Sequence, residues 1–155
     1  MLIRPFEVSD ADVLADIFHA SVREIGIRDY SLEQVEAWSP SKPDPKRYLQ
    51  QAQGRTLLVA VDDDGRIIGY GDLEPNGHID HLYCCPDVVG TGVGSAIYAA
   101  LENAARSVGI VSLFVEASEA ARCFFECRGF RVDTLNNFTI NGVAIHNYSM
   151  SKHID

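Results

Sequence analysis

Three alternating glycines, Gly90, Gly92 and Gly94, stand at the start of a long stretch of apolar residues at helical spacing. The members of this stripe are Val93, Ala96, Ile97, Ala100, Leu101, Ala104, Ala105 and Val108. Their spacing predicts one apolar face of an α-helix, which Gly109 ends. A glycine loop that enters a helix exposes unpaired backbone N–H groups at the positive end of the helix dipole. The pattern therefore predicts a phosphate-binding site, with a plain glycine turn as the alternative.

The rest of the chain alternates between strand-like apolar runs, helical stripes and turn signals. We predict strands at 2–7, 56–61, 66–73, 79–85, 111–115, 130–137 and 143–150. We predict helices at 13–25, 31–38, 44–52, 93–108 and 119–128. Because a helix joins the strand at 79–85 to the strand at 111–115, these two strands must run parallel with a right-handed crossover. The order predicts an α/β (α+β) fold, with a mixed, mostly antiparallel sheet of about seven strands and helices on both faces.

Length and charge limit the partners of the chain. Its 155 residues are enough for one domain with a substantial core, so we expect a single domain over 1–155. The net charge of −9 argues against a nucleic-acid partner and mildly favours a cationic or neutral substrate. The sequence has no signal-peptide core and no apolar run of membrane-spanning length, so we expect a cytoplasmic protein with no membrane partner.

The four cysteines do not have the spacing of a zinc site. Cys84 and Cys85 are adjacent, whereas Cys123 and Cys127 are four residues apart on a predicted helix. Structural zinc requires two matched ligand pairs, and the second pair is absent here. We expect buried, reduced thiols and no metal, although two histidines close to Cys84 keep a metal site open.

Two common phosphate-binding motifs do not fit the glycine loop. A P-loop has Lys before Ser or Thr at the start of its helix, and the dipeptide Gly94-Ser95 lacks this lysine. A Rossmann motif has the pattern G-x-G-x-x-G directly after a strand. Here the glycines follow the pattern G-x-G-x-G, residues 86–89 separate them from the strand, and only one β-α-β unit is present.

A third motif fits. Residues 82–86 (LYCCP) and 90–94 (GTGVG) resemble the acetyl-CoA pyrophosphate motif R/Q-x-x-G-x-G/A of the GNAT acetyltransferase superfamily. The segment from Ala121 to Phe130 resembles a second GNAT motif, A-x-x-F-Y/F-x-x-x-G-F. The order of the predicted elements is also similar to that of GNAT proteins, so the resemblance spans nearly the whole chain.

The resemblance implies a GNAT-like fold and an N-acetyltransferase that uses acetyl-CoA as co-substrate. The acceptor is then a primary amine of a small molecule or a peptide, and a homodimer is left open. The residues implied to contact the cofactor are Leu82, Tyr83, Cys84, Val89, Gly90, Thr91, Gly92, Val93, Gly94, Ser95, Ser118, Arg122 and Phe125. For Ser118 and Arg122, a solvated helix face is the alternative. Phe124, Phe125 and Phe130 are expected to form the wall of the pantetheine channel.

Two positions depart from the family pattern. Val89 stands where the family usually has Arg or Gln, so one polar contact to the phosphates is missing. Backbone N–H groups from Gly90 to Ser95 then have to supply most of the binding. Phe125 stands where many members have the tyrosine that protonates the leaving CoA thiolate.

The implied reaction is direct attack of an amine on the thioester, which requires a base and a donor to the carbonyl oxygen. The resemblance places the donor at the backbone N–H of Cys84, beside a β-bulge. The separation of Ile79 and Leu82 by three positions supports such a bulge, because strict alternation would put them on opposite faces. For the base we favour Asp80, with His78 on the same face as helper or alternative.

Other assignments stay open from the sequence. Asp80 and His78 are equally consistent with a hydrogen-bonded polar pair at a strand edge, and Glu74, another candidate base, lies near a turn where we expect it to be solvated. His81 is a further candidate base. Tyr83, Tyr148 or water is available as the acid, and Cys84 or Cys85 as an acyl-carrying nucleophile is the minority hypothesis.

Two other functions remain as alternatives. Because of Val89 and Phe125, a GNAT-fold module that binds acyl-CoA without catalysis stays open. A nucleotide-binding protein that uses the same loop fits the glycine spacing less well. Tyr30, Trp38 and Tyr48 lie in or beside the early helices, where they either line a substrate pocket or pack these helices onto the sheet.

Overall fold

The structure, a computed structural model that describes residues 1–155, contains eight strands and five α-helices. The strands are β1 (Leu2–Pro5), β2 (Thr56–Val61), β3 (Ile67–Leu73), β4 (His78–Ile79), β5 (Leu82–Cys84), β6 (Ser112–Ala117), β7 (Arg131–Ile140) and β8 (Val143–His153). The helices are α1 (Ala11–Glu24), α2 (Leu32–Trp38), α3 (Lys46–Gln51), α4 (Val93–Ser107) and α5 (Glu119–Glu126). No helix is both long enough and apolar enough to cross a membrane.

The strands form two four-stranded sheets, ordered β1-β2-β3-β5 and β4-β6-β8-β7. All neighbouring strands are antiparallel except β4 and β6, which run parallel with His78 opposite Phe114. The predicted mixed, mostly antiparallel α/β fold is therefore confirmed. The strand count is eight because the strand predicted at 79–85 is divided into β4 and β5, which belong to different sheets.

Helices cover both faces of the first sheet. On one face α4 lies close to β3, because β3 has glycines where side chains would point at the helix. A Cβ on Gly71 would lie 2.8 Å from Ile97 Cγ2, and one on Gly69 would lie 2.9 Å from Ile97 Cδ1. On the other face α1 packs against β5, where the rings of Phe18 and Tyr83 meet edge to face at 5.0 Å.

The predicted apolar stripe of α4 is correct up to its last member. Val93, Ile97, Leu101 and Ala105 are buried in the core. Val108 instead lies beyond the end of the helix and is 72% exposed. The helix ends at Ser107 because the chain then turns, with Gly109 at the left-handed φ of +80°.

The four thiols are free, but the prediction that all are buried is wrong for two of them. Cys85 is buried and Cys84 is partly buried, whereas Cys123 and Cys127 are exposed. They are exposed because α5 turns its other side, with Phe125, into the core.

Candidate active site

A wedge opens between β5 and β6. At its closed end β4 pairs with β6, with Ile79 opposite Val115. Beyond Ile79 the chain turns to pair with β3, so β5 separates from the second half of β6. A mostly apolar cavity of about 440 Å³ lies here, lined by α1, β4, β5, β6, α5 and the β7-β8 hairpin.

The buried Asp72 of β3 holds the chain in this bend. Its Oδ1 accepts hydrogen bonds from the backbone N–H groups of Asp80 (3.0 Å) and His81 (2.7 Å). Its Oδ2 accepts from Arg55 Nη1 at 2.9 Å, and Arg55 also donates to Asp80 Oδ2 at 3.1 Å. Two successive backbone N–H groups therefore donate to a side chain and not to a backbone carbonyl of β3. The result is a bulge between Ile79 and Leu82, which their separation by three positions supports.

The register of β5 directs the backbone of Cys84 into the wedge. Asp72 N–H donates to the His81 carbonyl at 3.0 Å, and Cys85 N–H donates to the Ile68 carbonyl at 2.9 Å. Hydrogen-bonded pairs alternate along an antiparallel ladder, so Tyr83 is also bonded to β3, while Cys84 turns its N–H away from β3. Its side chain is not ionised near neutrality, because burial raises the pKa of the Cys84 thiol to about 11.

The glycine loop leaves donors free at the start of α4. Gly92 is the N-cap residue, with φ +95° and no capping side chain. The first loop-to-helix hydrogen bond is from Ala96 N–H to the Gly92 carbonyl, so the N–H groups of residues 93–95 have no protein acceptor. The sequence predicts that the Thr91 N–H is also available to a phosphate. In the structure this N–H donates within the loop, to the Val88 carbonyl at 3.2 Å. Gly94 and Val89 line the cavity, so the loop continues into it.

His78 lies between two carboxylates at the closed end of the wedge. Its Nδ1 is 2.7 Å from Glu74 Oε1, and its Nε2 is 3.0 Å from Glu116 Oε1. The ring stacks on Phe114 with centroids 4.8 Å apart. Burial acts to lower the pKa of His78, but the hydrogen bond to Glu74 and the charges of Glu116 and Asp80 outweigh it, so this pKa is raised.

Asp80 and His78, the two base candidates predicted to share a face, have different partners in the structure. Asp80 lies in the bulge and is paired with Arg55, whereas His78 lies in β4 and is paired with glutamates. The prediction that Glu74 is solvated is wrong. The turn between β3 and β4 is closed by Glu74 N–H donating to the His78 carbonyl at 2.8 Å, and this brings the two side chains together. Glu116 was not predicted as a partner because it is distant in sequence.

His81 faces away from the cavity into a buried polar network. Its Nδ1 is 3.0 Å from the Tyr70 hydroxyl and its Nε2 is 3.1 Å from Arg47. Burial lowers the pKa of His81 to about 4, so the ring is neutral near pH 7. It does not line the cavity, and no group of three or more His, Cys, Asp or Glu side chains is arranged to hold a metal ion.

The remaining predicted residues divide into two groups. Those that line the cavity are Leu82, Tyr83, Ser118, Phe124 and Phe125. Ser118 also caps α5, its Oγ accepting from Ala121 N–H at 3.3 Å. Arg122 and Tyr148 lie outside the cavity: the guanidinium of Arg122 packs over the Tyr148 ring, whose hydroxyl donates to Glu119 at 2.6 Å.

The other end of the cavity is lined by aromatic side chains and by Asp29. Tyr30 and Trp38 line it, with ring centroids 5.9 Å apart, whereas Tyr48 is fully buried elsewhere in the core. The carboxylates among the lining residues are Asp29, Asp80 and Glu116, and no Lys or Arg lines the cavity.

Comparison with known proteins agrees with this geometry. Residues 27–152 match the family model described as an acetyltransferase (GNAT) domain. The uncharacterised N-acetyltransferase YafP of Escherichia coli (strain K12) is 26% identical over 148 residues, which cover 96% of this chain and 93% of YafP. A crystal structure of a GCN5-related N-acetyltransferase from Rhodopseudomonas palustris is 37% identical, with a TM-score of 0.91 over 99% of this chain and 95% of that one. The fold is also similar to that of YncA from Salmonella typhimurium, crystallised with acetyl-CoA, at a TM-score of 0.77, 19% identity and coverage of 100% and 94%.

Proposed function

The chain belongs to the GNAT family of acetyltransferases, and we propose that it transfers an acetyl group from acetyl-CoA to a primary amine by direct attack in one ternary complex. The observation that carries this proposal is the wedge, in which the Cys84 N–H faces a cavity that continues to the uncapped start of α4. On this proposal the 155 residues act as one catalytic domain.

The residues present fit acetyl-CoA, which supplies the activated acetyl thioester. The free N–H groups of residues 93–95, at the positive end of α4, suit the pyrophosphate. The apolar lining of the wedge, with Phe124 and Phe125, suits the pantetheine arm. Leu82 and Cys84, which direct their backbone groups away from β3, are positioned to hydrogen-bond it as an added strand would.

Within this cavity the Cys84 N–H is the donor for the acetyl oxygen. Negative charge develops on this oxygen as the amine attacks, and a fixed backbone donor in a water-poor site stabilises that charge without reorganising. The donor is held in place because Tyr83 before it pairs with Tyr70 of β3, and the N–H of Cys85 after it donates to the Ile68 carbonyl.

For the base, the geometry favours His78 over Asp80. Glu74 holds Nδ1–H, so in the neutral ring the lone pair is on Nε2, which faces Glu116 and the cavity. An ammonium group that displaces Glu116 from Nε2 stays paired with that carboxylate and gives its proton to Nε2, which frees the amine lone pair for attack. Asp80 is less available to an amine because its Oδ2 is occupied by Arg55.

The leaving thiolate has one candidate acid in the cavity. Phe125 has no hydroxyl, and the Tyr148 hydroxyl is bonded to Glu119 outside the cavity. Tyr83 lines the cavity, but burial raises the pKa of its hydroxyl far above that of a thiol, so it does not give up its proton to a thiolate. We therefore propose that the thiolate leaves without a protein acid and takes its proton from water.

The lining also favours one class of acceptor. Asp80 is paired with Arg55 and Glu116 with His78, but Asp29 has no ion-pair partner, and no Lys or Arg lines the cavity. An acceptor that carries its own carboxylate therefore meets the charge of Asp29 without a counter-ion. The rings of Tyr30 and Trp38 suit an apolar or cationic body. The proposed acceptor is thus a cationic or aromatic amine without a carboxylate.

Thermal melting with ligands tests the proposal first. Acetyl-CoA and CoA should raise the melting temperature, because a ligand that binds only the folded state stabilises it by mass action, while ATP and NAD should not. No shift at millimolar acetyl-CoA would contradict the proposal. A shift without turnover of any amine in a broad panel would favour the alternative, a binding module, which the departures at Val89 and Phe125 keep open.

A further inference from the structure

The arginine Arg128 lies against the positive end of α4. Its Nη2 donates to the hydroxyl of Ser95, which is in the first turn of α4. Its Nη1 donates to the Phe124 carbonyl at 2.8 Å, and the guanidinium carbon is 3.6 Å from the centroid of the Phe124 ring. These three contacts hold a partly buried side chain in one orientation.

The helix dipoles account for the contact of Arg128 with the Phe124 carbonyl but not for its contact with Ser95. The Phe124 carbonyl belongs to the last turn of α5, the negative end of that helix, where a cation is favourable. The start of α4 is positive, so placing the same cation against Ser95 costs free energy unless an anion also binds there. A guanidinium has five N–H donors, and the protein uses two of those of Arg128.

The position of Arg128 matches the place where the loop lacks a polar side chain. Val89, which stands where the family resemblance implies Arg or Gln, lines the cavity beside the loop, and its side chain has no hydrogen-bond donor. The ring that supports Arg128 lines the same cavity and lies against the start of α4, since a Cβ on Gly94 would be 3.2 Å from Phe124 Cε2. Arg128 thus lies where the cavity meets the free N–H groups.

We propose that Arg128 replaces the missing side chain at Val89 and binds the pyrophosphate of CoA. Ser95 shares in this, because a hydroxyl that accepts from Arg128 keeps its own O–H free to donate. The inference rests on the proposed function, since it needs CoA to bind at this loop.

Calorimetric titration with three ligands tests the assignment without depending on activity. The ligands are CoA, 3′-dephospho-CoA, which keeps the pyrophosphate, and pantetheine, which has no phosphate. Arg128→Met should weaken binding of the first two about tenfold to a hundredfold, the usual range for a lost hydrogen bond to a charged group, and leave pantetheine binding unchanged. The control Arg131→Met removes the same charge from a side chain that is 76% exposed on β7, and it should leave all three affinities unchanged.

A rescue variant separates charge from packing. Adding Val89→Arg to Arg128→Met should restore most of the lost affinity for CoA, because the cation returns from the other side of the loop. Arg128→Lys keeps the charge without the planar group that stacks on Phe124, so it should lose less affinity than Arg128→Met.

Several results would overturn the assignment. Equal CoA affinity of the wild type and Arg128→Met would refute it while leaving the proposed function intact. A loss confined to CoA and not seen with 3′-dephospho-CoA would place Arg128 on the 3′-phosphate instead. A parallel loss with pantetheine would mean that Arg128 only braces Phe124. Failure of the wild type to bind CoA would remove both the assignment and the proposed function.

Discussion

The carboxylate of Asp72 accepts a hydrogen bond from the backbone N–H of His81, at 2.7 Å, in the fully buried centre of the molecule. At this position a side-chain oxygen accepts the hydrogen bond that a backbone carbonyl accepts elsewhere in the sheet. The result is that β5 turns away from β6 at the point where the candidate active site begins.

Removing this carboxylate should both destabilise the fold and close the site. We expect Asp72→Ala to lower the free energy of unfolding by about 3 kcal/mol or more, because two backbone N–H groups lose their acceptor and Arg55 loses one of the two carboxylates to which it donates. Urea denaturation measures this. The control Asp63→Ala, at a side chain that is 96% exposed, should change stability by no more than about 0.5 kcal/mol. A loss below about 1 kcal/mol for Asp72→Ala would contradict this role of Asp72.

His78 should dominate the proton transfer. His78→Gln should lower kcat by about 10²- to 10⁴-fold, the range for loss of a general base, with little change in the Kd of acetyl-CoA. Asp80→Asn should lower kcat by less than about tenfold. The reverse order of the two effects, measured by steady-state kinetics with one amine, would return the role of base to Asp80.

The midpoint of the curve of activity against pH should depend on Glu74. A base must be unprotonated, so activity should rise with pH through the raised pKa of His78, above its usual value of about 6.5. Glu74→Gln removes a negative charge next to Nδ1, so the midpoint should move to lower pH while activity persists. An unmoved midpoint would show that another group titrates.

Activity should rise with pH, whereas the contribution of His78 to the stability of the fold should fall as the pH rises. A histidine with a raised folded-state pKa stabilises the fold fully below its unfolded pKa, and this contribution is lost as the pH rises through the folded pKa. The difference in unfolding free energy between wild type and His78→Gln should therefore be largest below about pH 6.5 and shrink as the pH rises through the raised pKa of His78. Denaturation across this window measures the difference, and a constant difference would argue against a charged His78.

Cys84 should not carry the acetyl group. Burial raises the pKa of its thiol to about 11, so almost no thiolate exists near neutrality. Mass spectrometry after incubation with acetyl-CoA, without an amine, should find no acetyl adduct on Cys84. Iodoacetamide should modify the exposed Cys123 and Cys127 well before Cys84. A stable acetyl-Cys84 would revive the nucleophile hypothesis.

Matched pairs of amines test the acceptor class. Agmatine and tyramine should have kcat/KM values at least about tenfold above those of arginine and tyrosine, because the amino acids add a carboxylate to an acidic cavity. Asp29→Asn should reduce this preference, since it removes one of the repelling charges. Equal values within each pair would show that the acceptor carboxylate does not meet these residues.

Much of the fold follows from local signals in the sequence. The stripe from Val93 to Ala105 predicts α4, because helical period and a stop glycine are local properties. The bounds of β2 were predicted to the residue, from a continuous apolar run before a turn of aspartates and glycine. The spacing of the glycines also predicted the loop before α4, whereas the bulge after Ile79 was implied by the family resemblance and only supported by the separation of Ile79 and Leu82.

The contacts between charged side chains at the candidate site were not predictable in this way. Glu116 meets His78 only because β4 pairs with β6, across a separation of 38 residues. Arg128 meets Ser95 only because α5 ends beside the start of α4. Local patterns carry helix and strand periods, whereas the partners of a charged side chain depend on which strands pair and which helix ends meet. The sequence by itself therefore determined the elements and the glycine loop, and only the tertiary structure decided which charges surround His78.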